Sequence, residues 1–280
     1  MALLAVRKSP IHAGMTIRVA IAGATGKVGG PLAKAVAQSS DLELVGAVAR
    51  ANTGRRLGDV LGVSGLDVVI HGTAAEALAV PCDVFVDYTR ADAAKAHILT
   101  ALEHGAHVVV GSSGLSDEDF AEIDHVAKRK ARGVFAAGNF AITAVLLQRF
   151  ARMAAAEIPT WEIIDYSYEK KVDAPSGTAR ELASQLAAVR APDYHVPASS
   201  TVGAREARGA TVAGTQVHSV RLPGYTSSVE IVFGVGAERL SIRHDSLDAS
   251  GPYVGGTLLA IRRVPSLLGV VRGLDRLLGA

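Results

Sequence analysis

The chain has 280 residues, of which 49% are hydrophobic and 20% charged, and its formal net charge is +2. This composition excludes a disordered chain, and the small charge without basic clusters argues against nucleic acid as a partner, which leaves a small anionic ligand. The single cysteine, Cys82, excludes an intrachain disulfide and cysteine-based metal sites, so we predict no metal and a cytoplasmic location.

Residues 1–14 are predicted to form a disordered extension, and Met15 is an alternative natural start. A short apolar patch precedes Arg7 and Lys8, which reverses the order found in a secretory signal. No apolar run approaches the roughly 20 residues of a bilayer-spanning helix, so we predict no membrane partner.

Short apolar runs alternate with helical patterns from residue 15 to residue 139. Continuous apolar strands joined by helices are typical of a parallel sheet that is covered on both faces. The pattern therefore predicts a doubly wound, Rossmann-type α/β domain. Its strands are predicted at 17–22, 42–48, 68–70, 84–87, 108–110 and 134–136, and its helices at 28–38, 91–103 and 117–130.

A second, α+β domain with a mixed or antiparallel sheet is predicted at 140–250, for substrate binding and oligomerisation. The helical C-terminal part, 251–280, is predicted to complete the first domain. In the second domain we expect a helix at 141–156, a strand at 161–166, a helix to about 189, a mobile surface loop at 191–214, and strands at 217–221, 229–233 and 240–244.

Three glycines follow the first predicted strand in a G-x-x-G-x-x-G turn: Gly23, Gly26 and Gly29. Glycine permits backbone dihedrals that are closed to other residues, and the free N–H groups of a helix N-terminus attract phosphate. Lys27 adds a cation to the same turn. Between a strand and a helix of a doubly wound domain, this turn predicts dinucleotide binding, although a plain tight turn would also use glycines.

The second predicted strand ends in Val48-Ala49-Arg50, without the carboxylate that usually binds the adenosine ribose of NAD. Arg50, with Arg55 and Arg56 close behind, suits the 2′-phosphate of NADPH, because a guanidinium binds phosphate oxygens in a fork. We therefore predict a preference for NADPH, with NADH as the alternative cofactor. The competing interpretation is that Arg55 and Arg56 are solvated loop residues.

A second signature, Lys171-Val172-Asp173-Ala174-Pro175-Ser176-Gly177-Thr178, joins a predicted strand to a helix. Ser176 is placed to cap the helix. The N–H groups and hydroxyls of Ser176, Gly177 and Thr178 would form an anion-binding N-terminus that faces Lys171. The segment therefore predicts a carboxylate-binding site, and a capped helix beside ordinary surface lysines is the alternative.

Together, these motifs resemble the 4-hydroxy-tetrahydrodipicolinate reductase family of the diaminopimelate route to lysine. The likeness extends over almost the whole chain from Met15. Besides the glycine turn and the lysine signature, the segments that carry it are Asp87-Tyr88-Thr89, Gly111-Ser112-Ser113-Gly114, Asn139-Phe140, His218-Ser219-Val220-Arg221 and Ile242-Arg243-His244-Asp245-Ser246.

The resemblance implies hydride transfer from a nicotinamide cofactor to a cyclic unsaturated imine with two carboxylates. It also implies a homotetramer built through the sheet of the second domain. The implied substrate contacts are Ser113, Lys171, Ser176, Gly177 and Thr178. The implied cofactor contacts are Gly23, Thr25, Gly26, Lys27, Val28, Arg50, Tyr88, Thr89, Gly111, Ser113, Asn139 and Phe140.

The chain departs from the family just before the lysine signature. Where the family reads Glu-x-His-His-x-His-Lys, this chain reads Asp165-Tyr166-Ser167-Tyr168-Glu169-Lys170-Lys171. Ser167 replaces the histidine regarded as the proton donor, and Tyr168 replaces a histidine that contacts substrate. A serine hydroxyl is a weak general acid near neutral pH, so Lys171, Lys170, Tyr168 or a bound water remain as candidate donors. The candidate catalytic residues are Lys171, Tyr168 and Ser167.

Three functions fit these observations. The first is an NADPH-preferring reduction of a cyclic imine or enamine dicarboxylate, either the lysine-pathway step or a close variant. The second is a specialised imine reductase or amino-acid dehydrogenase that acts on a different imino acid. The third is a catalytically silent protein that binds the cofactor but lacks the proton donor.

Overall fold

The computed structural model describes residues 16–279, which divide into two compact units. The first unit contains residues up to 142 and from 253 onward, and the second contains Thr143–Pro252. The predicted N-terminal extension, 1–14, lies outside the described residues. Within the described part of the chain, no helix is long and apolar enough to cross a membrane, and no cluster of His, Cys, Asp and Glu suits a metal ion.

The helices and strands follow one another in the predicted alternation. The strands are β1 Ile17–Ala22, β2 Leu42–Val48, β3 Ile70–His71, β4 Val84–Asp87, β5 His107–Val110, β6 Gly133–Ala136, β7 Trp161–Ser167, β8 Ala210–Val212, β9 Thr215–Arg221, β10 Ser227–Val235, β11 Glu238–Ser246 and β12 Gly269–Arg272. The helices are α1 Gly29–Ala37, α2 Leu57–Leu61, α3 Ala74–Ala77, α4 Ala91–Glu103, α5 Asp117–Arg129, α6 Ile142–Glu157, α7 Gly177–Ala187 and α8 Gly251–Arg263.

The described part of the first unit contains a seven-stranded parallel sheet in the order β12-β6-β5-β4-β1-β2-β3. The chain builds outward in one direction from β1 through β2 and in the other through β4, so the order reverses beside β1. Ligands of doubly wound sheets bind at the carboxyl ends of strands at such a switch point. The predicted Rossmann-type fold is confirmed, and the glycine turn lies at this point.

The central strands form because their residues are apolar on both faces, as a sheet covered by helices requires. Val19, Phe85 and Val108 are fully buried, and side chains from α4 and α5 pack against the same core. Ser116 starts α5 with a capping box, in which its hydroxyl accepts from the Asp119 N–H and its own N–H donates to the Asp119 carboxylate.

Some elements of the first unit differ from the predicted ones. The third strand lies at Ile70–His71 rather than 68–70, and the short helices α2 and α3 had no periodic signal. Strand β12 was also missed, because the C-terminal part was predicted to be helical throughout. Since β12 pairs in parallel with β6, the C-terminal part does complete the first unit.

The described part of the second unit contains a five-stranded mixed sheet in the order β11-β10-β7-β9-β8. Strands β7 and β9 run parallel and the other pairs run antiparallel. Helices α6 and α7 cover one face, where Trp161, Ile163 and Phe233 are buried. The predicted surface loop 191–214 is wrong at its end, because Ala210–Val212 forms strand β8 beside β9.

Candidate functional site

The glycine turn forms a tight cradle between β1 and α1. Gly23 has a φ of 81°, a conformation that residues with a Cβ atom rarely adopt. The Gly26 N–H donates to the Gly23 carbonyl oxygen at 2.8 Å. A Cβ atom on Gly29 would lie 2.0 Å from the same oxygen. The turn therefore requires glycine at these positions.

The cradle presents backbone N–H groups at the start of α1. Among residues 16–279, no hydrogen bond engages the N–H groups of Thr25, Lys27 or Val28. Lys27 is exposed beside them. Free N–H groups at the start of a helix attract phosphate through their partial positive charge, so this end of α1 has the chemistry of a pyrophosphate site.

Arg50 lies next to the cradle in the sheet, because Val48 pairs with Ala22 across β2 and β1. Arg50 is exposed, and no carboxylate of the described residues forms an ion pair with it. Arg55 and Arg56, in contrast, each have a side-chain partner. Arg56 pairs with Asp67 at 3.1 Å, and Arg55 donates to the Asn52 side chain at 3.1 Å. Only Arg50 of the three is therefore available for a phosphate at this edge.

Tyr88 and Phe140 belong to a buried aromatic cluster rather than to an exposed surface. The Phe140 ring packs edge-on against the rings of Phe135 and Tyr88, at 6.0 Å between centroids in each case. The Tyr88 hydroxyl lies 2.6 Å from the Thr257 hydroxyl. A Cβ atom on Gly111 would strike the Tyr88 ring. A cofactor contact of the buried Phe140 would therefore come from main-chain atoms, whereas the Tyr88 side chain is half-buried.

The remaining predicted cofactor residues lie at the carboxyl ends of β4, β5 and β6. The Asn139 side chain accepts from the Ala141 N–H at 2.8 Å, just before α6. Ser113 is exposed and lines a cavity of about 430 Å³ with Ala137 and Arg272. The Arg272 guanidinium pairs with Asp117 at 2.7 Å. Ser113 therefore remains accessible as a contact to a ligand.

Asp87 holds two of these loops together. Its side chain is 0% exposed, and it accepts from the Thr89 N–H at 3.0 Å, the Thr89 hydroxyl at 2.8 Å and the Ser112 hydroxyl. His97 Nδ1 lies 2.8 Å from its other oxygen. Burial raises the pKa of Asp87, but hydrogen bonds from His97, Ser112 and Thr89 outweigh it and leave the pKa below its usual value.

Replacing Asp87 with asparagine is expected to lower the free energy of unfolding by about 2 kcal/mol at pH 7, because hydrogen bonds to a charged acceptor are lost. A carboxylate with a lowered pKa stabilises the fold above its unfolded-state pKa of about 4 and loses that contribution as pH falls through the folded-state value. We therefore expect urea unfolding to give a difference in the free energy of unfolding, between wild type and Asp87→Asn, that is constant from pH 7 to about pH 4. The difference should shrink as the pH falls further to 3. A difference that persists undiminished at pH 3 would contradict this role.

The lysine signature places a lysine and a capped helix N-terminus on one short segment of the second unit. Ser176 caps α7 by accepting from the Ala179 N–H at 3.3 Å. Within the described residues, the N–H groups of Gly177 and Thr178 make no hydrogen bond. The Lys171 ammonium lies 2.6 Å from the Asp173 carboxylate and holds the pKa of that carboxyl below its usual value. Helix N–H groups and a lysine on one short segment suit a carboxylate.

Ser167 and Tyr168 have opposite environments. Ser167 is 0% exposed, and in the described residues no hydrogen bond engages its hydroxyl. It points to the same face of β7 as Ile163 and Asp165, because strand residues alternate between faces. Tyr168 is 49% exposed, directly after β7. Burial disfavours Ser167 as the donor of a proton, whereas the Tyr168 hydroxyl is accessible.

Two family models match the chain. The one described as dihydrodipicolinate reductase, N-terminus, matches residues 17–140, and the one described as dihydrodipicolinate reductase, C-terminus, matches residues 143–278. The chain belongs to the dihydrodipicolinate reductase family. The resemblance inferred from the motifs is therefore confirmed.

Individual members of the family are similar over nearly their whole length. The 4-hydroxy-tetrahydrodipicolinate reductase of Geobacillus kaustophilus is 39% identical over 94% of this chain and 100% of the relative. The 4-hydroxy-tetrahydrodipicolinate reductase of Moorella thermoacetica is 40% identical over 94% of this chain and 98% of the relative. The solved structure of dipicolinate-bound dihydrodipicolinate reductase from Paenisporosarcina sp. TG-14 has 32% identity and a TM-score of 0.84, covering 94% of this chain and 100% of that one.

Membership of the dihydrodipicolinate reductase family makes this chain an oxidoreductase that uses a nicotinamide cofactor. The residues present fit such a group. Side chains at Gly23 and Gly29 would close the cradle, and free N–H groups line it. Thr25, Gly26, Lys27 and Val28 are therefore placed to hold the pyrophosphate, and the carboxyl ends of β4 and β5 continue the same edge.

His107 and His244 are not placed to replace the histidines that the family has at Ser167 and Tyr168. His107 accepts from the Gly133 N–H at 2.9 Å inside the first sheet, and burial lowers its pKa to about 4. His244 is buried, its Nδ1 lies 2.9 Å from the Thr143 hydroxyl, and burial lowers its pKa. Both imidazoles are packed inside their sheets.

Sequence reasoning missed two residues that shape the site. Asp87 begins the Asp87-Tyr88-Thr89 motif, and its position at a strand end was the available signal. Arg221 ends the His218-Ser219-Val220-Arg221 motif and contacts Asp165 behind the lysine signature. Arg221 and Asp165 are 56 positions apart in the chain, so periodicity alone gave no indication of the contact.

Proposed function

We propose that this protein reduces the product of 4-hydroxy-tetrahydrodipicolinate dehydration, a cyclic conjugated imine with two carboxylates, in lysine and diaminopimelate biosynthesis. The observation that supports it most is the segment Lys171–Thr178, where an ammonium and two free helix N–H groups suit a carboxylate. The relatives from Geobacillus and Moorella carry the name of this activity, and the Paenisporosarcina enzyme was solved with dipicolinate, a planar dicarboxylate.

The chain's own residues would perform binding, orientation and protonation. A bound nicotinamide supplies the hydride. Lys171 would bind one substrate carboxylate together with the Ser176 hydroxyl and the Gly177 and Thr178 N–H groups, and this alignment accounts for much of the rate. The reduced ring also takes up one proton. Ser167 is buried, so the candidate donors are the Tyr168 hydroxyl, the ammonium groups of Lys170 and Lys171, or a bound water.

We further propose that NADPH is preferred over NADH, with Arg50 binding the 2′-phosphate. Arg50 follows β2 at the carboxyl edge of the sheet and carries no ion pair among the described residues. A guanidinium binds phosphate oxygens through two parallel hydrogen bonds. The absence of an acidic residue at the end of β2 removes the group that would favour NADH.

Replacing Arg50 with alanine is expected to raise KM for NADPH about 10- to 100-fold, because a charge-assisted hydrogen bond is worth roughly 1.5–3 kcal/mol. KM for NADH should change less than about threefold. Arg56→Ala is the matched control, since Arg56 pairs with Asp67 at the surface, and it should leave both constants unchanged. If Arg50→Ala changed KM for NADPH and KM for NADH by the same factor, Arg50 would not be the residue that binds the 2′-phosphate.

The homotetramer expected from the family is also a proposal, with the second sheet as the interface. Helices cover one face of this sheet, and the other face carries a groove of about 640 Å³ lined by Ile164, His218 and Val232. Val235 also lines this groove and is 46% exposed. Light scattering with size-exclusion chromatography should give about four times the chain mass, and a monomer would contradict the proposal.

Cofactor oxidation tests the proposed function. The substrate is generated in situ by its synthase, and absorbance at the nicotinamide band is followed with NADPH and NADH in parallel. We expect turnover that depends on the synthase product and is inhibited by pyridine-2,6-dicarboxylate. Tight NADPH binding without turnover would favour the alternative, reduction of another imino acid, because Ser167 and Tyr168 replace the family's histidines.

A further inference from the structure

We propose that Asp165 and Arg221 form a positioning pair that sets the shape of the carboxylate-binding segment. This role rests on the function proposed for that segment. Asp165 lies on β7 and Arg221 is the last residue of β9, and these strands are parallel neighbours. The Asp165 side chain is 1% exposed and the Arg221 side chain 15%. The pair therefore lies beneath the segment and is largely shielded from solvent.

The contacts of the pair reach both ends of the Asp173–Ser176 stretch. Arg221 Nη2 donates to Asp165 Oδ2 at 2.8 Å and to the Asp173 carbonyl oxygen at 2.7 Å. The Ser176 N–H donates to the same Asp165 oxygen at 2.8 Å. The guanidinium fixes one end of the stretch and the carboxylate fixes the other. Ser219 adds a hydrogen bond to Asp165 Oδ2 at 3.3 Å.

The fixed backbone determines where the predicted ligand groups lie. Ser176 is the N-cap of α7, so a fixed Ser176 N–H sets the direction of the free N–H groups that follow it. The Asp173 backbone carries the carboxylate that pairs with Lys171 at 2.6 Å. The helix N-terminus is therefore oriented by one buried ion pair that need not touch substrate itself, and the same pair fixes the backbone of Asp173.

Stability alone gives a weak reason for such a pair. Desolvation of two buried charges offsets most of their attraction, and well-packed apolar residues often replace a buried ion pair without loss. The pair does something that apolar residues cannot do, because its hydrogen bonds to the backbone of Asp173 and Ser176 hold the loop in one geometry. An arginine suits this task, because its two terminal nitrogens donate in fixed directions at once. Nη2 donates to the Asp165 carboxylate and the Asp173 carbonyl oxygen, while Nη1 donates to the carbonyl oxygens of Asp165 and Val220, and a lysine has only one nitrogen for all of them.

The test uses Arg221→Lys and Asp165→Asn in the full chain. Arg221→Lys keeps the charge, so the fold is retained while the fork is lost. Arg152→Lys is the matched control, because Arg152 is a half-buried arginine of the same unit that donates to Gln185 at 2.9 Å. Alanine at position 221 is avoided, since it would leave Asp165 buried without its charged partner.

The first measurement is amide hydrogen exchange of Ser176 and Ala179 without any ligand. Both N–H groups are hydrogen-bonded by the segment, to Asp165 and to the Ser176 hydroxyl. We expect the exchange rates of these two amides to rise about tenfold in Arg221→Lys and Asp165→Asn. The exchange rates of the β10 amides should not change in these variants, and the control variant should exchange like the wild type throughout. Unchanged exchange at both amides would overturn the proposal.

The second measurement is the Kd of pyridine-2,6-dicarboxylate, titrated calorimetrically in the presence of NADPH. We expect Kd to rise about tenfold in both variants, with the Kd of NADPH unchanged. Faster exchange with an unchanged dicarboxylate Kd would show a purely structural pair and overturn its positioning role. If the wild type itself fails to bind the dicarboxylate, the proposed function fails, and the exchange data alone then decide whether the pair positions the segment.

Discussion

Replacing Lys171 with alanine is expected to lower kcat/KM for the dicarboxylate substrate by about 100-fold and to leave the Kd of NADPH unchanged. Loss of a hydrogen bond from a charged partner to the substrate carboxylate costs roughly 1.5–3 kcal/mol. NADPH binding is unaffected because the glycine cradle belongs to the other unit. Steady-state kinetics and NADPH fluorescence titration give the two quantities separately.

Two further variants sharpen the Lys171 test. Asp173→Asn removes the carboxylate that pairs with Lys171 at 2.6 Å, so the ammonium is freed and KM should stay the same or fall. Lys128→Ala is the matched control, because Lys128 forms an ion pair of the same length with Asp124 in the first unit. Substrate kinetics that respond equally to Lys171→Ala and Lys128→Ala would remove Lys171 from the substrate site.

Gly29→Ala is expected to raise the Kd of NADPH by about 100-fold. The new Cβ atom would lie 2.0 Å from the Gly23 carbonyl oxygen, and since both are backbone positions of one turn, the turn itself must move. Several N–H groups then lose their alignment toward the pyrophosphate, each of which is worth roughly 1.5–3 kcal/mol as a charge-assisted hydrogen bond. Isothermal titration with NADPH measures the effect.

The neighbouring Gly30 provides the control for that experiment. A Cβ atom there would meet the flexible Leu61 side chain at 3.3 Å and the Ala24 carbonyl oxygen at 3.8 Å, an ordinary contact distance. Alanine is also favoured over glycine inside a helix by about 1 kcal/mol. Gly30→Ala should therefore keep the Kd of NADPH within about threefold of wild type. The cradle account would be wrong if both variants bound NADPH like the wild type while their circular dichroism stayed native.

The sequence predicted the fold well where apolar periodicity is strong. The bounds of β1, β2, β4 and α4 agree with the structure to the residue. Strand β12 was missed because its apolar residues were assigned to the C-terminal helical stretch, and its pairing with β6 joins segments that are distant in sequence. Strand β8 was missed although it pairs with its sequence neighbour β9, because the segment rich in Pro, Ser, Ala and Gly was assigned to a loop as a whole.

The candidate site was predictable at its backbone elements and less so at its side chains. Glycines and a capped helix N-terminus leave local signatures, so the cradle and the lysine segment were found directly. The burial of Tyr88, Phe140 and Ser167 depends on what packs over them, which only the tertiary structure gives. The Asp165–Arg221 pair joins residues of two strands and has no local signature at all.

Transfer of deuterium from NADPH labelled at the nicotinamide C4 position tests the central claim most directly. The labelled cofactor is incubated with the purified protein and 4-hydroxy-tetrahydrodipicolinate generated in situ, and the ring product is analysed by mass spectrometry. We predict a reduced dicarboxylate that carries one deuterium, formed only when the protein is present. An unlabelled product, or no reduced product despite bound NADPH, would contradict the account.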